Sequence, residues 1–192
     1  MPLINSIVLS DDLQILIWHI EETLEELFEN IKLTSEDLKR LKKRKKVINQ
    51  KGFLAIRNLF LSADINPKNL LYNSMGAPVL KFGKKLSISH SKTVAGIAYG
   101  SNPLGFDLEY YQKKILKIAP RFLNVEEDFA KKGVNVIEKI TLVWTAKEAL
   151  YKVIQKKGIN FSKQLLVAPF KGRVSPYSFL NAINPGISAS AN

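Results

Sequence analysis

Two carboxylates stand two residues apart in Gly105-Phe106-Asp107-Leu108-Glu109. The segment reads as a strand, Gly105–Tyr110, and alternation puts Asp107 and Glu109 on one face and Phe106 and Leu108 on the other. Like charges held side by side repel unless a cation or a base lies between them. A second cluster lies in Trp144-Thr145-Ala146-Lys147-Glu148-Ala149-Leu150-Tyr151-Lys152. On a helix, Trp144, Glu148 and Lys152 fall at i, i+4 and i+8 and share one stripe, with Lys147 at its edge. Taken singly, the strand pair is an ordinary solvated face and Glu148–Lys152 an ordinary helix-stabilising pair. Neither explains why Trp144 shares the stripe. A third cluster, Ser87-Ile88-Ser89-His90-Ser91, places a histidine among hydroxyls at a strand end, where it is able to donate to a phosphate. It is no nucleophilic triad, because a G-x-S-x-G elbow is lacking and adjacent residues of an extended strand point opposite ways.

The net charge of +12 favours anionic partners: nucleic acid, lipid headgroups, phosphorylated small molecules or an acidic protein. Its densest source is Lys39-Arg40 with Lys42-Lys43-Arg44-Lys45-Lys46, which as a helix would be charged nearly all round. Arg57 differs, lying in the apolar stretch FLAIRNLF, where an unpaired guanidinium is costly; it needs an anion, internal or on a ligand. The chain has no cysteine, which excludes disulfides and thiolate metal sites. No segment approaches the run of about 20 apolar residues that spans a bilayer. The first twelve residues carry no basic region followed by an apolar stretch, so the expected location is the cytoplasm.

These residues need elements to position them. Leu13–Ile20 reads as a buried strand and Glu21–Ile31 as a short amphipathic helix. A helix capped by Thr34 or Ser35 is expected from about Glu36 to Leu61, with Gly52 as its weak point. Leu70–Tyr72 and Pro78–Phe82 flank Asn73-Ser74-Met75-Gly76 as a hairpin. Leu86–Ser89, Val94–Tyr99 and Gly105–Tyr110 are further strands, the last two joined by Gly100-Ser101-Asn102-Pro103. Helices follow at Ile115–Phe122, near Glu126–Lys131 and at Val136–Ile154, with Gly158 as C-terminal cap. Leu165–Ala168 is the expected last strand, and the tail from Lys171 is weakly patterned, fraying from Gly186. Helices and strands mix without a βαβ rhythm, so the fold class is α+β.

In order, the chain carries FLAIRNLF (53–60), YNSMGAP (72–78), LSISHS (86–91), GFDLE (105–109), IAPRFLNVEE (118–127) and WTAKEALYK (144–152). That series resembles the 4′-phosphopantetheinyl transferase superfamily, in its surfactin-synthetase-activating, fused two-lobe type, from about Ile15 to Phe170. The resemblance implies two similar α+β lobes, 1–100 and 101–192, with the active site between them and the metal site on the second. It implies a holo-[acyl-carrier-protein] synthase activity, serving pathways such as fatty acid biosynthesis. Coenzyme A gives its 4′-phosphopantetheine arm to a serine of an acyl or peptidyl carrier protein and leaves adenosine 3′,5′-bisphosphate.

On the same resemblance, Asp107, Glu109 and Glu148 hold Mg²⁺ or Mn²⁺, both of which accept oxygen ligands. His90 and Lys152 contact the pyrophosphate, with Lys147 and Ser89 close by. Arg57 and members of the set Lys39, Arg40, Lys42 and Arg44 meet the adenosine-side phosphates. Glu148, Glu127 or a metal-bound water serves as base. The carrier protein is acidic, which suits a basic chain, and a fused two-lobe chain is expected to work as a monomer without nucleic acid or membrane. The sequence departs from the family at Ala77, where a G-K-P turn usually has lysine; either affinity for coenzyme A is lower or another lysine, such as Lys81, substitutes. Two other readings remain: a non-catalytic relative that binds coenzyme A or carrier protein, and a nucleic-acid-binding module built on Lys39–Lys46.

Overall fold

The computed structural model describes residues 4–10, 12–29, 31–81, 83–170 and 178–179. Its helices and strands form an α+β fold in two units, Met1–Asn102 and Pro103–Asn192.

The first unit is built on a four-stranded antiparallel sheet. Its strands are β1 (Ile4–Ser10), β2 (Leu13–His19), β5 (Lys85–His90) and β6 (Val94–Gly100), in the order β1-β2-β6-β5. No element is expected before Leu13 from the sequence, yet β1 pairs with β2 along its length. Two smaller strands, β3 (Leu70–Tyr72) and β4 (Pro78–Leu80), form the expected hairpin, with Gly76 at a φ of 79° in the turn.

Three helices precede that hairpin: α1 (Leu24–Glu29), α2 (Ser35–Lys42) and α3 (Val47–Ser62). The helix expected from Glu36 to Leu61 is therefore two, and the break falls at Lys43–Lys46 rather than at Gly52. Five consecutive cations from Lys42 to Lys46 would stack like charges within one helical turn, which opposes continuation. Lys46 is extended, at φ −95° and ψ 130°, and α3 starts after it. Gly52 lies buried inside an unbroken α3. Phe53, Leu54, Ala55, Ile56, Leu59 and Phe60 of that helix join Leu16, Trp18, Ile97 and Tyr99 of the sheet in one apolar core. Each leucine, isoleucine or phenylalanine among them, fully buried, contributes about 1.5–3 kcal/mol.

The second unit centres on α5 (Val136–Ile154), found over the range its periodicity predicted. Around it lie α4 (Lys114–Ile118), which runs into a 3-10 turn at Ala119–Arg121, then a 3-10 segment at Val125–Lys131 and α6 (Phe161–Gln164). Ile115, Ala119, Phe122, Leu123, Ala130, Ile140 and Val143 form its core. Of the strand expected over Gly105–Tyr110, only Leu108–Glu109 (β7) pairs, with Ser178–Phe179 (β8) and not with β6. Gly158 does not cap α5. Gln155 does, in the left-handed region at φ 49°, and its N–H donates to Tyr151 O. Leu165–Ala168 is not a strand, because its backbone is used otherwise: the Val167 N–H donates to the Glu127 carboxylate. The expected fraying from Gly186 lies outside the described residues.

Candidate functional site

The second unit brings Asp107, Glu148 and Lys152 together by a close backbone approach. A Cβ placed on Gly105 would sit 1.9 Å from the Ala149 carbonyl oxygen of α5. Only glycine lets the chain cross the helix there. The crossing lays Phe106 and Asp107 against the last turns of α5, and Lys152 reaches back to both. Its Nζ donates to the Phe106 carbonyl at 2.9 Å and to Asp107 Oδ1 at 2.8 Å.

Glu148 lies one helical turn before Lys152 and is half-buried. Burial pushes its carboxyl above the usual value of 4.5. The negative charges of Asp107 and Glu109 push the same way, against the opposing pull of Lys152. Asp107 and Glu109 are thus near enough for their charges to resist the ionisation of Glu148. Among the described residues no group of three acidic or histidine side chains forms a ready-made cation cage. Mg²⁺ does not require one: it takes one or two carboxylates, keeps several waters and accepts substrate phosphates as ligands. An all-oxygen, mutually repelling donor set fits that ion.

On another side of Glu148 is a cleft of about 510 Å³, lined by Ile118, Arg121, Phe122, Trp144, Ile159 and Phe161 among others. Trp144 packs 4.8 Å from the Phe122 ring and 5.7 Å from Phe161, centroid to centroid. This accounts for the tryptophan on the Glu148 stripe: it forms an apolar wall next to the carboxylate and helps to desolvate it.

Beneath the cleft, Lys147 is fully buried, and each of its three protons has an acceptor. It donates to Glu127 Oε2 at 2.6 Å, to the Phe122 carbonyl at 2.6 Å and to the Phe161 carbonyl at 3.0 Å. Burial draws its pKa down from the usual 10.5, and the Glu127 charge works against that fall. Glu127 is equally enclosed and also accepts from the Asn124 and Val167 backbone N–H groups.

In the first unit, Arg57 finds its anion inside the protein. Nε and Nη2 donate to Asp37 Oδ1 at 2.8 and 2.6 Å, and the guanidinium is 2% exposed. The other Asp37 oxygen accepts from the Thr34 N–H and hydroxyl, which completes the cap of α2. Arg57 and Arg44 both lie against the Phe53 ring, at 4.2 and 4.3 Å from its centroid, and Arg40 lies 3.6 Å over Tyr72. Such stacking orients the guanidinium planes; at their edges Arg40 pairs with Glu36 at 3.2 Å and Arg44 Nη1 donates to the Arg40 carbonyl. Ser89 is buried near the end of β5, whereas His90, the next residue, is exposed and sits against Gly52 of α3.

No family model matches the chain. It is 30% identical over 111 residues to the 4′-phosphopantetheinyl transferase gsp of Aneurinibacillus migulanus, a stretch that is 55% of this chain and 47% of that protein. Over that stretch the likeness supports the 4′-phosphopantetheinyl transferase superfamily that the motifs resemble. It spans about half the length of the curated relative it matches.

The residues that the phosphopantetheinyl transferase resemblance nominated fall into three groups. Asp107, Glu148 and Lys152 are assembled at one place, and Glu109 is near enough to act on Glu148. Ser89, His90, Arg40 and Arg44 belong to the first unit, with Arg40 and Arg44 around Phe53 and Tyr72. Arg57, Lys147 and Glu127 are buried in internal ion pairs, Arg57 with Asp37 and Lys147 with Glu127. Sequence reasoning missed Asp37 as the partner of Arg57, and Gly105 as the residue that allows the crossing. The signal for Asp37 was its place in a capping box. For Gly105 it was a glycine two residues before a carboxylate.

Proposed function

We propose that the chain transfers the 4′-phosphopantetheine group of coenzyme A to a serine of an acyl or peptidyl carrier protein and releases adenosine 3′,5′-bisphosphate. The carrying observation is the grouping of Asp107, Glu148 and Lys152 by the Gly105 crossing, in a chain related to a named phosphopantetheinyl transferase. In this reaction the serine oxygen bonds to the phosphorus bearing the pantetheine arm. The bond from that phosphorus to the bridging oxygen breaks, and the serine proton goes to a base.

Asp107, Glu109 and Glu148 would hold Mg²⁺, which when bound offsets negative charge on the pyrophosphate. Lys152, anchored on Asp107 and the Phe106 carbonyl, presents a cation with room to turn to a phosphate oxygen, being 28% exposed. His90 is the corresponding donor of the first unit, with Ser89 beside it in sequence. Arg40 and Arg44 present guanidinium groups to the adenosine-side phosphates. Of the two candidate bases, Glu148 is half-buried beside the cleft whereas Glu127 is enclosed, which favours Glu148. The excess of positive charge favours encounter with an acidic carrier protein. No helix among the described residues is long and apolar enough to cross a membrane.

The test is the intact mass of an apo acyl carrier protein incubated with this chain, coenzyme A and Mg²⁺, with an EDTA control. A metal-dependent gain of one phosphopantetheine establishes the transfer. Absence of gain across several carrier proteins, with the chain folded and binding coenzyme A, points to the non-catalytic relative instead.

A further inference from the structure

Glycine is among the least favourable residues in a helix interior, and Gly52 is the sixth of sixteen residues in α3. Its backbone is not the reason for it: Gly52 is not among the residues with positive φ, and the helix runs unbroken through it. What it meets is a histidine. A Cβ built on Gly52 would lie 2.8 Å from both Cγ and Nδ1 of His90, and 3.3 Å from its Cβ. The first two distances are far inside van der Waals contact. The third shows that a ring flip alone gives no relief, because the root of the side chain is also close. His90 cannot retreat along the chain either, since β5 holds it in register opposite Ala95 of β6.

We propose that Gly52 is the positioning residue for His90: its bare Cα lets the imidazole rest directly on α3, and a side chain there swings the ring away from the ligand it serves. This rests on the reading of His90 as a contact to the coenzyme A pyrophosphate. The Cγ–Nδ1 edge faces the helix, which leaves Nε2 as the nitrogen farther from it. A ring seated on a rigid backbone loses little freedom when a phosphate binds, so less of the hydrogen bond is spent on ordering. A histidine left to rotate at an exposed strand end would lack that advantage.

The experiment is a double-mutant cycle on the full chain: wild type, Gly52→Ala, His90→Ala and the double variant. Thermal midpoints, the His90 Cε1–H resonance and affinity for coenzyme A with Mg²⁺ are read for each. With His90 removed, Gly52→Ala is expected to raise the midpoint by about 2–4 °C, the ordinary gain of alanine over glycine in a helix. With His90 present the same change gives no gain or a loss, and shifts the imidazole resonance. Coenzyme A binding weakens about tenfold in Gly52→Ala, a loss the size of one hydrogen bond to a charged group, and weakens no further when Gly52→Ala is added to His90→Ala.

Equal effects of Gly52→Ala on the midpoint in both backgrounds would overturn the proposal and make the glycine a general packing requirement. If His90→Ala binds coenzyme A as tightly as wild type, the ligand reading fails. The midpoints and the resonance still decide the glycine–histidine contact, so the two failures are distinguishable.

Discussion

Lys147 and Glu127 form a 2.6 Å ion pair in which neither side chain reaches solvent, at 0% and 1% exposure. The pair ties four backbone groups to α5: those of Phe122 and Phe161 through the ammonium, and those of Asn124 and Val167 through the carboxylate. Phe122 and Phe161 are also walls of the cleft beside Glu148, so a buried pair one residue away in sequence fixes the surroundings of the exposed chemistry.

Removing one partner leaves the other charged and unpaired in the interior. Lys147→Met is therefore expected to cost about 3–5 kcal/mol in urea unfolding. Glu127→Gln keeps acceptor capacity for a backbone N–H and is expected to cost less. Its loading of carrier protein, scaled to the folded fraction, should stay within about threefold of wild type, since an enclosed carboxylate has no proton to take. A folded Glu127→Gln variant that is inactive at every pH would restore Glu127 as the base.

Asp37 and Arg57 make a second buried pair, with a readable pH signature. Burial pushes the Asp37 carboxyl up, but the hydrogen bonds and charge of Arg57, with Thr34, hold it below its usual value of 3.8. A carboxyl depressed in the folded state adds stability above its unfolded pKa and loses it as pH falls through the folded pKa. Wild type should thus lose stability on acidification below about pH 4 partly through this group. Asp37→Asn should be destabilised by about 3–5 kcal/mol at neutral pH, and the gap should narrow in acid. A gap constant from pH 7 down to the acid limit of folding would show that the pair does not titrate as described.

What the sequence revealed and concealed follows from the range of the interactions. The bounds of α5 and the β3–β4 hairpin were legible because helical period and turn chemistry are local. So was the link between Glu148 and Lys152, one turn apart. The pairing of Arg57 with Asp37 was not, because the residues are twenty positions apart and sit on two helices whose break at Lys43–Lys46 had to be known first. Lys147 and Glu127 look like surface residues in sequence, and only tertiary packing encloses them. Gly52 and Gly105 were visible as glycines, but what each accommodates lies on a different element.

Lys152 shares Asp107 Oδ1 with any cation that binds there. Taking its charge away leaves the carboxylates more strongly negative, so Lys152→Met is expected to bind Mg²⁺ about threefold to tenfold more tightly in the absence of coenzyme A. Transfer should nevertheless fall at least about tenfold, because a cation for the pyrophosphate is lost. Titration calorimetry and carrier-protein loading measure the two separately. Weaker Mg²⁺ binding by Lys152→Met would mean that the lysine holds Asp107 in the geometry the metal needs.

Glu148 gives the sharpest test of the metal reading, since the effect of neutralising it should change sign with the ion. Its carboxyl is raised by burial, by Asp107 and by Glu109, against Lys152. A group raised in the folded state contributes stability below its unfolded value of 4.5 and loses it as pH rises through the folded pKa. At neutral pH without metal the ionised Glu148 is therefore a liability, and Glu148→Gln should unfold at a higher temperature than wild type in EDTA. Mg²⁺ at a hundred times its dissociation constant should stabilise wild type by about 2.7 kcal/mol. Glu148→Gln should gain little, so the order of the two midpoints reverses when metal is added. Equal Mg²⁺ stabilisation of both proteins would remove Glu148 from the ligand set.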